Sequence, residues 1–224
     1  MSDIPLPLMT RAHLDRAARP SDGPLYSPDF TLLDDTDLDR LAGELLDGRP
    51  RPVRVFAYGS LIWNPGFSVA TRRRGTAIGW HRQFSIHLDH FRGSPDTPGL
   101  MLALARGGTC QGLILDIEPG TECQAMRALL RRELVAHELA ANAVWITVET
   151  DQGIENALTF YADPVGVDLA DLTIPEQARR LARANGAAGS GAEYLHNTVH
   201  GLHQAGIFDA YIWELDRLVA AELD

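Results

Sequence analysis

The sequence predicts an α+β fold in which a strongly curled, antiparallel-rich β-sheet or small barrel is surrounded by helices. Three observations lead there. Apolar segments separated by turn signals recur between residues 53 and 161, one helical run interrupts them, and three further helical segments gather at the carboxy terminus. Strands joined by hairpins, with helices set apart, indicate mixed layers rather than alternating βαβ units. At 224 residues, 45% hydrophobic and 22% charged, the chain can bury one good-sized core and is too ordinary for disorder, collagen or a repeat array.

Residues 1–33 carry five prolines and scattered apolar residues without a period. They read as an amino-terminal arm draped over the surface rather than a packed element, followed by a single domain over 34–224. Thr36 and Asp39, with Leu38, Leu41 and Leu45 on one face, mark a short capped helix ending near Gly48 and Pro50. Val53–Tyr58 is rich in β-formers and stops at the turn-prone GSLIWNPG. Two further strand-like stretches surround Ile78 and the alternating Phe84, Ile86 and Leu88. GLMLALAR and CQGLILDI, separated by Gly107-Gly108-Thr109, read as a hairpin, and AVWITVET, DQG and NALTFYA repeat that arrangement. A helix spans about 121–137 between these hairpins, and three more lie near 175–184, 192–204 and 209–222. Ser190 with Glu193 forms a capping box for the second of those three.

Thirty acidic residues against twenty basic ones give a formal charge of -10, which repels phosphate backbones and anionic membrane surfaces and makes nucleic acid an unsuitable partner. Every basic residue is arginine. Schiff-base chemistry and the P-loop lysine are therefore excluded. Cys110 and Cys123 show no CxxC spacing and read as two buried small hydrophobes in a reducing compartment. No apolar run approaches a membrane span, the first residues lack a secretory pattern, and the expected location is cytoplasmic. His196 and His200, four apart with His203 following, have the spacing of a metal pair but no HExxH. Surface histidines are the expectation, with no metal site. Arg72-Arg73-Arg74 reads as a solvated cluster.

Glu133 is the sharpest anomaly. Met126, Leu129, Leu130 and Leu134 form one helical stripe, and Glu133 falls inside it, seven positions after Met126. Arg131 and Arg132 point away from that stripe. A carboxylate aimed at low dielectric gains a raised pKa useful for proton transfer, although the same position also suits a structural ion pair with a distant arginine or a place at the sheet rim. The loop Tyr58-Gly59-Ser60-Leu61-Ile62-Trp63-Asn64-Pro65-Gly66 offers successive backbone N–H groups to an anion, or is simply a turn.

VFAYGSLIWNPGF resembles the VFGYGSLIW signature of the ChaC family, the glutathione-specific γ-glutamylcyclotransferases, within the γ-glutamylcyclotransferase-like fold. Gly79-Trp80-His81-Arg82 with Phe84, Arg92-Gly93-Ser94-Pro95, Pro98-Gly99 and Arg132-Glu133 match in the family's order, and Glu193-Tyr194-Leu195 with Gly206-Ile207 resembles its last helices. The resemblance covers residues 50–222. Ala57 replaces the usual glycine, and Asp89-His90-Phe91-Arg92-Gly93 is one residue longer than the family's Asp-His-Arg-Gly, which bears on substrate selectivity.

The resemblance implies cyclisation of a γ-glutamyl group by attack of its α-amine on its own γ-carbonyl, releasing 5-oxoproline and, from glutathione, cysteinylglycine. Glu133 is the expected general base and acid. Val55, Phe56, Ala57, Tyr58, Gly59, Ser60 and Leu61 are the expected substrate-binding residues, with Tyr194 as a further one. Both reacting groups belong to one molecule, so no enzyme nucleophile, metal or organic cofactor is required. The remaining alternatives are a cyclotransferase for other γ-glutamyl amines and a non-catalytic glutathione-binding regulator.

Overall fold

The computed structural model describes residues 4–19, 21, 23–163 and 168–224. Five strands form a closed barrel in the order β1-β3-β2-β4-β5: β1 (Arg54–Ala57), β2 (Val69–Leu88), β3 (Gly99–Ile117), β4 (Ala143–Thr150) and β5 (Gly153–Phe160). The chain divides into two compact units, and the long strands β2 and β3 contribute to both. The first comprises Asp29–Arg82 and Leu104–Val167, the second Met1–Pro28, Gln83–Ala103 and Asp168–Asp224.

In the first unit, β1 pairs antiparallel with β3, from Arg54↔Asp116 to Ala57↔Leu113, and parallel with β5 at Val55↔Leu158. This second pairing closes the barrel and removes its edges. The core holds Phe56, Ala77, Trp80, Leu104, Cys110, Ile114, Ile146, Val148 and Ala157. The hairpin expected over 143–161 is present, with Thr150 opposite Gly153.

The other expected hairpin is absent, because Gly107 and Gly108 lie inside the continuous strand β3. Their φ angles of 99° and 70° bend the strand without reversing it. His81 Nδ1 lies 3.0 Å from the Gly107 carbonyl, so the kink packs directly on β2. Likewise, the two stretches expected around Ile78 and Phe84 are one strand.

The Arg72-Arg73-Arg74 cluster is not simply solvated. Arg73 joins Arg54, Asp116 and Glu155 in a charge-balanced network across β1, β2, β3 and β5, with Arg54 2.6 Å from Glu155 and Arg73 2.8 Å from Asp116. Arg73 also pairs with Glu155. Its hydrogen bond is the main influence holding that carboxyl below the usual range. Arg72 donates to the Ile62 carbonyl at 3.2 Å.

Helix α2 (Asp35–Leu46) begins at Asp34, whose carboxylate accepts from the Asp37 N–H, two residues earlier than the Thr36 cap expected. Its partner α3 (Glu122–Glu133) buries Met126, Leu129 and Leu130, as the stripe requires. Cys110 is buried, but Cys123 near the start of α3 is exposed, contrary to the expectation of two buried thiols.

In the second unit, α4 (Ile174–Arg183), α5 (Gly191–Gln204) and α6 (Ala210–Leu223) pack together, burying Leu181, Leu195, Val199, Ile212 and Leu215. These match the three carboxy-terminal helices expected. The Ser190 hydroxyl accepts from the Glu193 N–H at 3.1 Å, while the Glu193 carboxylate pairs with Arg92 rather than closing a capping box.

The arm contains a packed element after all. Helix α1 (Arg11–Ala17) buries Leu14 and Ala17, and the buried Asp216 carboxylate accepts from the N–H groups of Leu8 and Met9. Seven residues give too little periodicity to stand out among prolines. His196 and His200 are half-buried and lie tilted against each other, with ring centroids 4.1 Å apart, rather than solvated. Among the described residues, no helix is long and apolar enough to cross a membrane.

Gly112 permits the close approach of β3 to β1. A Cβ there would meet the Ala57 carbonyl oxygen at 2.5 Å and the Phe56 ring at 2.7 Å, whereas one at Gly43 on α2 would meet nothing within 4 Å. Gly112→Ala should lower unfolding free energy by roughly 1–3 kcal/mol through overpacking. Gly43→Ala should raise it by about 0.5–1 kcal/mol through helix propensity. Urea titrations of both variants, compared at unchanged m, check the pair.

Candidate active site

The candidate site lies in the first unit, where β1 gives way to a turn. Val55, Phe56 and Ala57 are fully enclosed, so their side chains build the barrel wall and only their backbone leads toward the turn. The Ala57 methyl fits within that wall. Tyr58 is half-buried and packs against the barrel core. Gly59 precedes a single 3-10 turn, Ser60–Ile62, held by Ile62 N–H to Gly59 carbonyl at 2.9 Å and Asn64 N–H to Ser60 carbonyl at 2.8 Å. Ser60 and Leu61 open this turn, so their N–H groups have no acceptor within it. Leu61 and Ile62 turn their side chains inward and anchor it to the core.

Two arginines brace the turn. Arg82 on β2 is buried, donating through Nε to the Tyr58 carbonyl at 3.0 Å and through Nη2 to the Gln111 carbonyl. Arg132, in the last turn of α3, donates through Nη2 to Ser60 Oγ at 2.6 Å and through Nη1 to the Asn64 carbonyl. Its Nε lies 3.1 Å from Glu133 Oε1. Arg132 therefore does not point away from Glu133, as the helical stripe suggests. Its long side chain curls back toward the turn, where acceptors are waiting.

Glu133 is the last residue of α3. Its side chain keeps 22% of its surface accessible, enclosed by protein yet reachable. Burial pushes its carboxyl above the usual glutamate range, and the Arg132 guanidinium pulls it back in part. Among the described residues, this ion pair is the carboxyl's polar contact, leaving Oε2 for a proton or a ligand.

The structure thus brings Glu133 and Ser60 together through one guanidinium. Tyr194 belongs to the second unit, where it is buried, stacked edge-on against Phe84 with centroids 5.8 Å apart, and lies 5.5 Å from the Arg92 guanidinium. Phe91, the extra residue of the 89–93 stretch, adopts φ 58°, an uncommon backbone state for a bulky side chain. Its N–H donates to the Pro24 carbonyl at 3.0 Å, and its own carbonyl accepts from Ala188 N–H at 2.8 Å. Sequence reasoning gave Arg82 and Arg132 no role, although both stand in stretches matched to the family. Each does its work through side-chain reach, which periodicity does not encode. Among the described residues, no group of three or more His, Cys, Asp or Glu is arranged to hold a metal.

Residues 53–222 match the family model of ChaC-like proteins. The glutathione-specific γ-glutamylcyclotransferase of Escherichia coli K12 is 34% identical over 160 residues, 70% of this chain and 68% of that protein. γ-Glutamylcyclotransferase 2-1 of Arabidopsis thaliana is 30% identical over 179 residues, 76% of this chain and 83% of that one. In fold, the chain is similar to the crystal structure of a yeast γ-glutamylcyclotransferase specific to glutathione, with TM-score 0.66 and 18% identity over 76% of this chain and 96% of the yeast chain.

The raised carboxyl makes a test independent of substrate. A group whose acid form the fold prefers binds more protons folded than unfolded, so its contribution to stability falls as pH rises from the ordinary glutamate range through the raised pKa. Glu133→Gln, which cannot ionise, should therefore gain in melting temperature relative to the parent across that window and keep the gain above it. Paired thermal melts at acidic and neutral pH read the difference.

Proposed function

Because this chain belongs to the ChaC-like protein family, we propose that it is a γ-glutamylcyclotransferase that converts glutathione to 5-oxoproline and cysteinylglycine. The observation that carries the reading is the enclosed Glu133 carboxyl, tied through Arg132 to Ser60 and Asn64 of the turn after β1. The curated names of the Escherichia coli and Arabidopsis relatives support the chemistry.

In this reading the turn accepts the γ-glutamyl end of the substrate. Backbone N–H groups at Gly59, Ser60 and Leu61 face the substrate carboxylate and the γ-carbonyl oxygen, on which negative charge develops. The α-amine attacks the γ-carbonyl carbon and passes a proton to Glu133 as the new C–N bond closes a five-membered lactam. The tetrahedral intermediate then collapses. The bond to the cysteinyl nitrogen breaks, and Glu133 returns the proton to that departing amine. The carboxylate is regenerated without a covalent enzyme intermediate. Bending one molecule into a near-attack conformer supplies much of the acceleration, and the route needs no metal or organic cofactor.

A carboxyl raised toward neutrality is a better proton acceptor than an ordinary glutamate and still a competent donor. A cytoplasmic setting belongs to this reading and is supported by two free thiols that form no disulfide. The partner is a small thiol tripeptide, and the excess of acidic residues weighs against nucleic acid.

Glu133→Gln should stay folded, still bind glutathione and lose about 10²–10⁴-fold in turnover, since an amide cannot take the proton. Gly59→Val should raise KM or abolish activity by holding the substrate off the backbone. Following 5-oxoproline release from glutathione and from several γ-glutamyl dipeptides checks both variants. Wild-type-like turnover by the Gln variant would remove Glu133 from the mechanism.

A further inference from the structure

We propose that Arg132 is a positioning residue of this site, whose guanidinium fixes the bearing of the Glu133 carboxyl on the turn after β1. The proposal rests on the reading of Glu133 as proton carrier. All three guanidinium nitrogens are engaged, and each goes to a different group: Nε to Glu133 Oε1, Nη2 to Ser60 Oγ and Nη1 to the Asn64 carbonyl. A guanidinium is rigid and planar, so three anchors lock its orientation and therefore the direction from which Oε1 is held.

Neutralising an enclosed carboxylate would take one contact. Here two of the three arms go to uncharged acceptors of the turn, so the arrangement serves geometry as well as charge. The other cations nearby are occupied elsewhere: Arg131 pairs with Asp35, Arg127 with Asp39, and Arg72 donates to the Ile62 carbonyl. Arg132 is also the one charged group whose field acts on Glu133 among the described residues. With Oε1 held by Nε, the proton travels on Oε2, and any shift of the turn is transmitted to the carboxyl through the same planar group.

The test compares the parent protein with Arg132→Met, which removes charge and fork, and Arg132→Lys, which keeps the charge alone. The readouts are kcat and KM for 5-oxoproline release across pH, and the Glu133 carboxyl titration by carbon NMR, assigned by its loss in Glu133→Gln. Arg132→Met should move the Glu133 midpoint and the acidic limb of kcat/KM upward together and cost roughly 10²-fold in kcat, the scale of an ångström-level misplacement. Arg132→Lys should leave the midpoint near that of the parent but still lose kcat, because a point charge cannot hold three acceptors in one plane. Parent-like kcat in the Lys variant, or an unmoved midpoint in the Met variant, overturns the proposal. If the Met variant does not fold, the Lys variant decides by its kcat at an unmoved midpoint. If the parent releases no 5-oxoproline from any γ-glutamyl substrate, the functional reading fails by itself. The NMR midpoint in Arg132→Met then still decides whether Arg132 governs Glu133.

Discussion

A four-residue strand closes the barrel of the first unit, and everything at the candidate site is hung from it. β1 is too short for its ladder alone to hold it between an antiparallel neighbour and a parallel one. Three further constraints act on it. Val55, Phe56 and Ala57 are fully buried, Thr159 Oγ1 donates to the Phe56 carbonyl at 3.1 Å, and Arg54 enters the ion network with Asp116, Glu155 and Arg73. That network brings two cations and two anions from four strands to one place, so a slip of β1 would strand a charge among partners it no longer faces. Such networks add little net stability, but an uncompensated enclosed charge is expensive. The barrel is thereby committed to one register, and the turn leaves β1 at one position.

From that position the electrostatics of the site follow. Burial alone would favour the neutral form of Glu133 still further, while a full exposed ion pair would leave it an ordinary carboxylate. The arrangement sits between the two, with desolvation as the larger influence and the Arg132 guanidinium opposing it. The guanidinium is shared with Ser60 and Asn64, so it does not neutralise the carboxyl as a dedicated partner would. Arg82 performs a related task from β2, holding the Tyr58 carbonyl.

How far the sequence could be read depended on whether a feature repeats. The stripe of Met126, Leu129 and Leu130, the β4–β5 hairpin and the three carboxy-terminal helices carry their period in plain view, and the structure has them. Gly107-Gly108 misled because a glycine pair supplies positive φ equally well to a tight turn and to a kink inside a strand. Which one forms depends on whether the neighbouring strand also continues, and β2 does so through Leu88. Glu133 stood out as a polar residue inside an apolar stripe, and the turn stood out by its small residues and family signature. The link between them did not, since a residue adjacent to Glu133 is assigned to another face by helical geometry, and only the flexible length of arginine brings its head group back. Helix α1 was hidden for a different reason: it buries its few apolar residues against elements more than a hundred and fifty positions away, a relation that no local window contains.

The exposed Cys123 has a practical corollary. It lies at the second position of α3, ten residues and therefore about 15 Å of helix before Glu133, while the other thiol, Cys110, is 1% accessible. A maleimide dye or spin probe would consequently attach at one place, on the rod that carries the carboxyl but well away from it. Motions of that rod could then be followed optically while the chemistry at its far end proceeds undisturbed.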